Sequence, residues 1–253
     1  MKKLLAFVFL ALLASLGFAQ DMETIILIER NNVVKFLPVN IPFQSISFEY
    51  ERMINHKNSV TLGIGLPNQR SIMGKYGIDA SSDLKAIELG TMHIRAAYRH
   101  YTGNRLLPVG FYYEPYFKYQ NISGTARVEG ENVENGYTAP YKGDFDIKLH
   151  SFNLGMQLGV QFLIANRVTL DLYFLGLEGG FLSGNVTATS PNIADANNVV
   201  NLKAEIEKSI DDLPSFIGDK LKVTQPSSNQ INVRASSVPY PWLRGGISIG
   251  IAF

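Results

Sequence analysis

Large apolar residues and small or polar ones alternate one by one along most of this chain. The closing stretch, LRGGISIGIAF, sets Leu243, Ile247, Ile249, Ile251 and Phe253 on one side and Arg244, Gly246, Ser248, Gly250 and Ala252 on the other. A period of two belongs to a β-strand whose two faces meet different surroundings. The same rhythm runs through 44–53, 59–66, 91–99, 109–119, 152–162 and 168–174, which with the closing stretch predicts seven strands. Residues 32–39, NVVKFLPV, are β-branched and lead into a proline-containing bend, and they supply an eighth strand at the start. The neighbouring DMETIILIER, 21–30, either extends that strand or competes with it.

The links between strands alternate in length. Residues 54–58, 102–106 and 165–167 are tight turns, whereas 67–86, 122–144 and 184–239 are long; only 40–43 breaks the rule by being short on the long side. All tight turns therefore fall at one end of the sheet. Membrane barrels of the bacterial outer surface show this asymmetry together with an even strand number.

Alternation does not say which face points inward. A soluble eight-stranded barrel would turn its apolar face inward, as lipocalins do. Glycines break the tie, because Gly63, Gly65, Gly110, Gly155, Gly159, Gly246 and Gly250 all lie on the polar face. On a solvated face they would only weaken the strands. Inside a barrel just wide enough for its side chains, they make room for long neighbours. The other face is rich in large apolar groups with scarcely a charge. It is expected to look outward, into lipid.

The polar face also carries Glu49, Glu51, Glu114 and Asp171 against Arg95, Arg99, Lys118 and Arg244, with His93 beside them. Charges in a narrow interior need partners, since each unpaired one costs several kcal/mol or more. The set predicts an ion-paired plug across the lumen, or, if some members sit at the rims, solvated charges there.

The amino-terminal residues suggest export. Lys2 and Lys3 precede an apolar run from Leu4 to Phe18 and a small-residue GFAQ, the layout of a signal peptide over residues 1–19. That apolar run is 15 residues, short of the roughly 20 a spanning helix needs. Residues 20–253 would then form one outer-membrane domain. Without the two leader lysines the charge goes from +1 to −1, so nothing favours nucleic acid as a partner. The chain has no cysteine, hence neither a disulfide framework nor a thiolate site.

With these features in place, the sequence resembles the small outer-membrane β-barrel proteins of Gram-negative bacteria. Their last strand ends on an aromatic that the barrel-assembly machinery recognises, a role the resemblance gives to Phe253. The segment NVVKFLPVNIPFQSISFEYERMINHKNSVTLGIGLP is similar to the opening of a barrel family common in Bacteroidetes and largely of unknown function. There a short first strand leads into an S-x-x-Y-E-R strand, a tight turn and S-V-x-L-G. The likeness spans 32–183 and 240–253. The insertion before the last strand departs from it.

That insertion, 184–239, far exceeds the usual 4–6 residues of a loop. Val199, Leu202, Ile206, Ile210, Leu213, Ile217 and Leu221 recur at spacings of three and four, predicting an amphipathic helix over 199–222, kinked or split at Pro214. It would cap the mouth, bind a partner or lie at the lipid surface; its mixed-charge polar face speaks against the last.

Catalysis finds little support. His56 and His100 fall at tight turns, His93 lies among the luminal charges, and His150 and Ser151 are adjacent strand residues that point to opposite faces unless a bulge intervenes. No metal motif, P-loop or dinucleotide pattern appears, so no cofactor is expected. Tyr98, Tyr101, Tyr113, Tyr119, Tyr240 and Trp242 read as interfacial girdles.

The expectation is an all-β protein: an eight-stranded antiparallel up-and-down transmembrane β-barrel with a helical insertion in its last long loop. Both termini would be periplasmic. Its partners would be outer-membrane lipid, lipopolysaccharide and the assembly machinery, with a ligand or protein at the long loops. A structural or surface-interaction role fits best. The alternatives are an outer-membrane enzyme acting on lipid or peptide, a narrow passive channel, and a soluble barrel whose lumen is lined by Ile46, Phe48, Ile247 and Ile249.

Overall fold

The computed structural model describes residues 30–71, 84–103, 108–134, 137–189, 203, 206–208 and 210–253. The leader 1–19 and nearly all of the alternative first segment lie outside them. In chain order the elements are β1 (Asn32–Leu37), a 3-10 turn (Pro38–Asn40), β2 (Ser45–Met53), β3 (Asn58–Pro67), β4 (Arg70–Ser71), β5 (Leu84–Tyr101), β6 (Gly110–Glu134), β7 (Tyr137–Ile164) and β8 (Val168–Thr189). There follow a one-turn helix α1 (Ser215–Gly218), β9 (Leu221–Ser227), β10 (Gln230–Pro239) and β11 (Trp242–Ala252).

Eight strands, β1, β2, β3, β5, β6, β7, β8 and β11, pair in that order, and every pairing is antiparallel. β11 returns to β1 with Val33 opposite Ala252 and Phe36 opposite Ile249, which closes the sheet into a ring. The chain end seals this seam: Asn32 N–H donates to Phe253 O at 3.1 Å and Phe253 N–H to Asn32 O at 2.9 Å. Two turns at the same end show why the chain reverses there. Asn55 Oδ1 accepts the amides of Lys57 and Asn58, and Ala165 and Asn166 both take left-handed φ, at 51° and 56°, the backbone of a tight hairpin turn.

Within the ring the apolar face is the outer one. Phe48, Leu62, Ile94, Phe117, Leu154 and Ile249 are each more than 40 % exposed, while Lys35, Arg99, Glu51, Glu114, Gln161 and Thr169 inside are fully buried. Ile46, Phe48, Ile247 and Ile249 thus face away from the lumen, against the soluble-barrel alternative. The inward glycines create space. A β-carbon at Gly155 would strike the Tyr116 ring, one at Gly159 the Tyr112 ring, and one at Gly65 the imidazole of His93.

Three corrections concern the long links. First, β6 and β7 run on into 122–144, and β8 runs on to Thr189, so much of the expected loop is tall sheet. Second, 184–239 contains a β-hairpin: β10 pairs with the upper part of β8 (Ile231 opposite Ala188), and β9 with β10 (Val223 opposite Val233). The stretch TQPSSNQ, a polar link by composition, is mostly strand and turn. Third, the helix is shorter than 199–222. Lys203, Ile206, Glu207, Lys208, Ile210 and Asp211 are helical, the path breaks at Pro214 as expected, and Leu221 belongs to β9. Leu221 and Val223 fit a strand's period as well as Leu221 fits the helix's.

The tall part inverts the pattern. On β7, Phe152, Leu154 and Met156 face outward, but above them Phe145, Ile147 and Leu149 face inward and are half-buried, with Asp144, Asp146 and Lys148 exposed. β6 does the same with Ile122 and Ala126 against Thr125 and Arg127, and β8 with Leu182 and Val186 against Asn185. Ring and tall wall are one sheet whose apolar side changes at a single level.

Candidate functional site

The interior is filled from the tight-turn end upward. At the bottom, Lys35 Nζ lies 2.7 Å from Glu51 Oε2 and 2.9 Å from Asp171 Oδ2, and it donates to Gln161 Oε1. Arg99 joins the same cluster, donating to Asp171 at 2.9 Å and Gln161 at 2.8 Å and pairing with Glu114. Tyr101 donates to Glu51 at 2.6 Å, Tyr112 to Asp171 at 2.7 Å, and Ser59 to Glu51 at 2.6 Å. The Arg99 guanidinium lies 3.7 Å above the Tyr112 ring centroid, a cation–π contact in a dry setting.

One level up, Glu114 stands between Arg95 and Arg99 and also accepts from Gln157 at 3.1 Å. Arg95 reaches Glu49 at 3.0 Å, and Arg244 reaches the same Glu49 oxygen at 3.2 Å. Arg95 lies over Tyr116 and Arg244 over Tyr173, with 4.4 Å and 4.8 Å to the centroids. At the top, Lys118 meets Glu178 at 2.6 Å, and Tyr116 donates to Glu178 at 3.1 Å.

All eight charged residues singled out from the sequence therefore lie in one contiguous network. Two members, Lys35 and Glu178, were missed, and each has a reason. β1 carries apolar residues on both faces (Val33, Leu37 and Val34, Phe36), so its alternation assigns no inside. Glu178 shares parity with the outward Phe174, but the pairing with both neighbours slips at this level (Leu158 opposite Leu175, Gly159 opposite Tyr173). Phe174 is the extra residue of a bulge, and everything beyond it changes face. Counting both, five acids meet five bases among the described residues, so the interior is formally neutral.

Above the plug, on the tall-wall side, a cavity of about 360 Å³ opens at the mouth. Its floor holds His93, Lys118 and Arg244, and its collar includes Phe43, Leu89, Ile122 and Trp242. Tyr240 stacks on Trp242 at 5.9 Å and 14°, and both line this cavity rather than an outer girdle. Tyr101 departs from the girdle too, being buried in the plug, whereas Tyr98 and Tyr113 are exposed on the outer face.

The other histidines do not converge. His56 is exposed in its turn, and His100 Nδ1 pairs with Asn58 Oδ1 at 2.7 Å. His150 packs edge-on against Phe152 outside, while Ser151 is buried inside and bonded to Asn153 at 2.9 Å. The register is continuous through His150, so no bulge brings the two together. Phe253, the expected assembly residue, is 59 % exposed on the outer face with its backbone tied into β1. Among the described residues no helix is long and apolar enough to cross a membrane, which leaves crossing by strands open.

No protein family model, no curated protein and no solved structure matches the chain.

Proposed function

We propose that this chain is an outer-membrane β-barrel protein with a structural or surface-interaction role, sealed by its ion-pair plug, with the tight turns and both termini on the periplasmic side. The tall wall formed by β5–β8, β10 and β9 then stands outside the cell. The inversion of the apolar face carries this reading. Below one level the outer surface is nearly free of charge; above it the same strands turn Asp144, Asp146, Lys148 and Arg127 outward. Water on both sides of that level would leave the lower surface as an apolar patch far beyond the few hundred Å² a soluble monomer exposes. Lipid below and water above removes the conflict.

The outward run on β7 from Phe152 to Ile164 spans about 40 Å along the strand, or about 30 Å across a bilayer at the usual tilt. That matches the hydrocarbon thickness. The resemblance to the Gram-negative barrel family points the same way, and with it lipopolysaccharide and the assembly machinery as partners, the latter reading Phe253.

Leu62→Arg tests this. Leu62 is 55 % exposed at the middle of the outer run on β3. Facing water, arginine there changes little. Facing lipid, it costs about 2–4 kcal/mol of folding free energy in vesicles. Wild-type stability of the variant in vesicles would refute the lipid-facing assignment.

A further inference from the structure

We infer that the mouth cavity is a binding site for a single-chain amphiphile with an anionic head, the head on Lys118, Arg244 and His93 and the tail against the apolar collar and the inner face of the tall wall. This goes beyond a structural role and rests on the cavity itself, whatever surrounds the outer face.

The charge of the floor is one-sided. Lys118, Arg244 and His93 line the cavity, and among the described residues no aspartate or glutamate does. The carboxylates that balance the two cations lie deeper. Lys118 keeps 10 % of its side chain accessible while its partner Glu178 keeps 0 %, and Arg244 keeps 13 % against 6 % for Glu49. Each pair thus turns its positive member toward the opening. Both cations have donors beyond those used in their pairs, since an ammonium carries three N–H groups and a guanidinium five. A carboxylate or phosphate bound there gains charge-assisted bonds in a poorly hydrated setting.

The collar calls for something apolar. Phe43, Leu89, Ile122 and Trp242 ring the floor, and 360 Å³ is at the small end of ligand-sized sites. The apolar surface does not stop at the rim. Ile122 pairs with Leu149, and from there Ile147 and Phe145 continue up the inner face of β7 in rungs about 7 Å apart. Three rungs give about 14 Å of apolar track for an extended tail. A small hydrophilic anion would leave the track uncovered, and an uncharged hydrocarbon would leave the remaining donors of the two cations unused.

Trp242 is the only tryptophan in the chain, so its emission reports on this cavity alone. The experiment titrates the folded full-length barrel domain, in vesicles of diacyl phosphatidylcholine, with octanoate, octyl phosphate, 1-octanol and inorganic phosphate. A saturable change in Trp242 emission is expected with octanoate or octyl phosphate, and the tighter of the two identifies the head. Octanol and inorganic phosphate should bind at least ten-fold more weakly, and Lys118→Gln should weaken the anionic amphiphile about ten-fold. Ile122→Phe, outside the ion network, fills the collar and should abolish the response; it decides the matter if Lys118→Gln does not fold. An octanol response equal to that of octanoate, no saturable response, or unchanged binding by folded Ile122→Phe would each overturn the inference.

Discussion

Glu114 is the carboxylate on which the middle of the lumen turns. It is fully buried and shared by Arg95 and Arg99, with Gln157 as a third donor. Glu114→Ala leaves one uncompensated positive charge in a neutral interior. Removing one partner of a buried ion pair typically costs 3–5 kcal/mol. Here Arg95 keeps Glu49 and Arg99 keeps Asp171, which holds the electrostatic loss near the lower limit. The missing side-chain volume adds roughly 1 kcal/mol, for a total of about 4 kcal/mol. Glu114→Gln keeps the volume and one acceptor and should cost about half as much, near 2 kcal/mol. The double change Arg95→Met with Glu114→Met should cost less than Glu114→Ala, since it removes the stranded charge along with its partner. Urea unfolding in lipid vesicles, followed by Trp242 emission and by heat-modifiable gel migration, measures each. Asp146→Ala supplies the reference, because Asp146 and Lys148 form a pair with more than half of each side chain exposed, and such pairs contribute little. If Glu114→Ala proves no worse than Asp146→Ala, the plug does not stabilise the barrel.

Gly155→Val should block folding, since its β-carbon would meet both the Tyr116 ring and the Leu177 carbonyl oxygen, the latter at 2.8 Å. Gly179→Ala, with nothing within 4 Å, should leave gel migration unchanged. Equal yields of folded protein from the two would contradict the space-making role of the luminal glycines. In planar bilayers the wild type should give no stepwise currents, and Arg99→Ala combined with Glu51→Ala should give them. Open-channel currents from the wild type would contradict the seal.

The ring was legible because most of its strands set an apolar outer face against a polar inner one, which writes a period of two into the chain. Where the contrast fades, legibility fades with it. β1, apolar on both faces, concealed Lys35, and the bulge at Phe174 broke the parity that would have revealed Glu178. The tall wall passed for loops because its alternation is weaker and reversed. Ile122, Ala126, Leu149 and Leu182 are interspersed with serine, threonine, glycine and asparagine, which by composition suggest turns. Leu149 and Phe152 differ in parity because the apolar side changes along one continuous strand, not because the strand breaks. The mouth cavity was hidden for another reason. Leu89, Ile122 and Trp242 are far apart in sequence and meet only once the ring has closed.

β6 and β7 are paired without a slip from Gly110 opposite Gln161 to Glu134 opposite Tyr137, the full 25 residues of β6. That is about 80 Å of ladder with no hinge between its foot and its tip. A load at the tip is therefore passed down to the ring through one unbroken run of backbone hydrogen bonds.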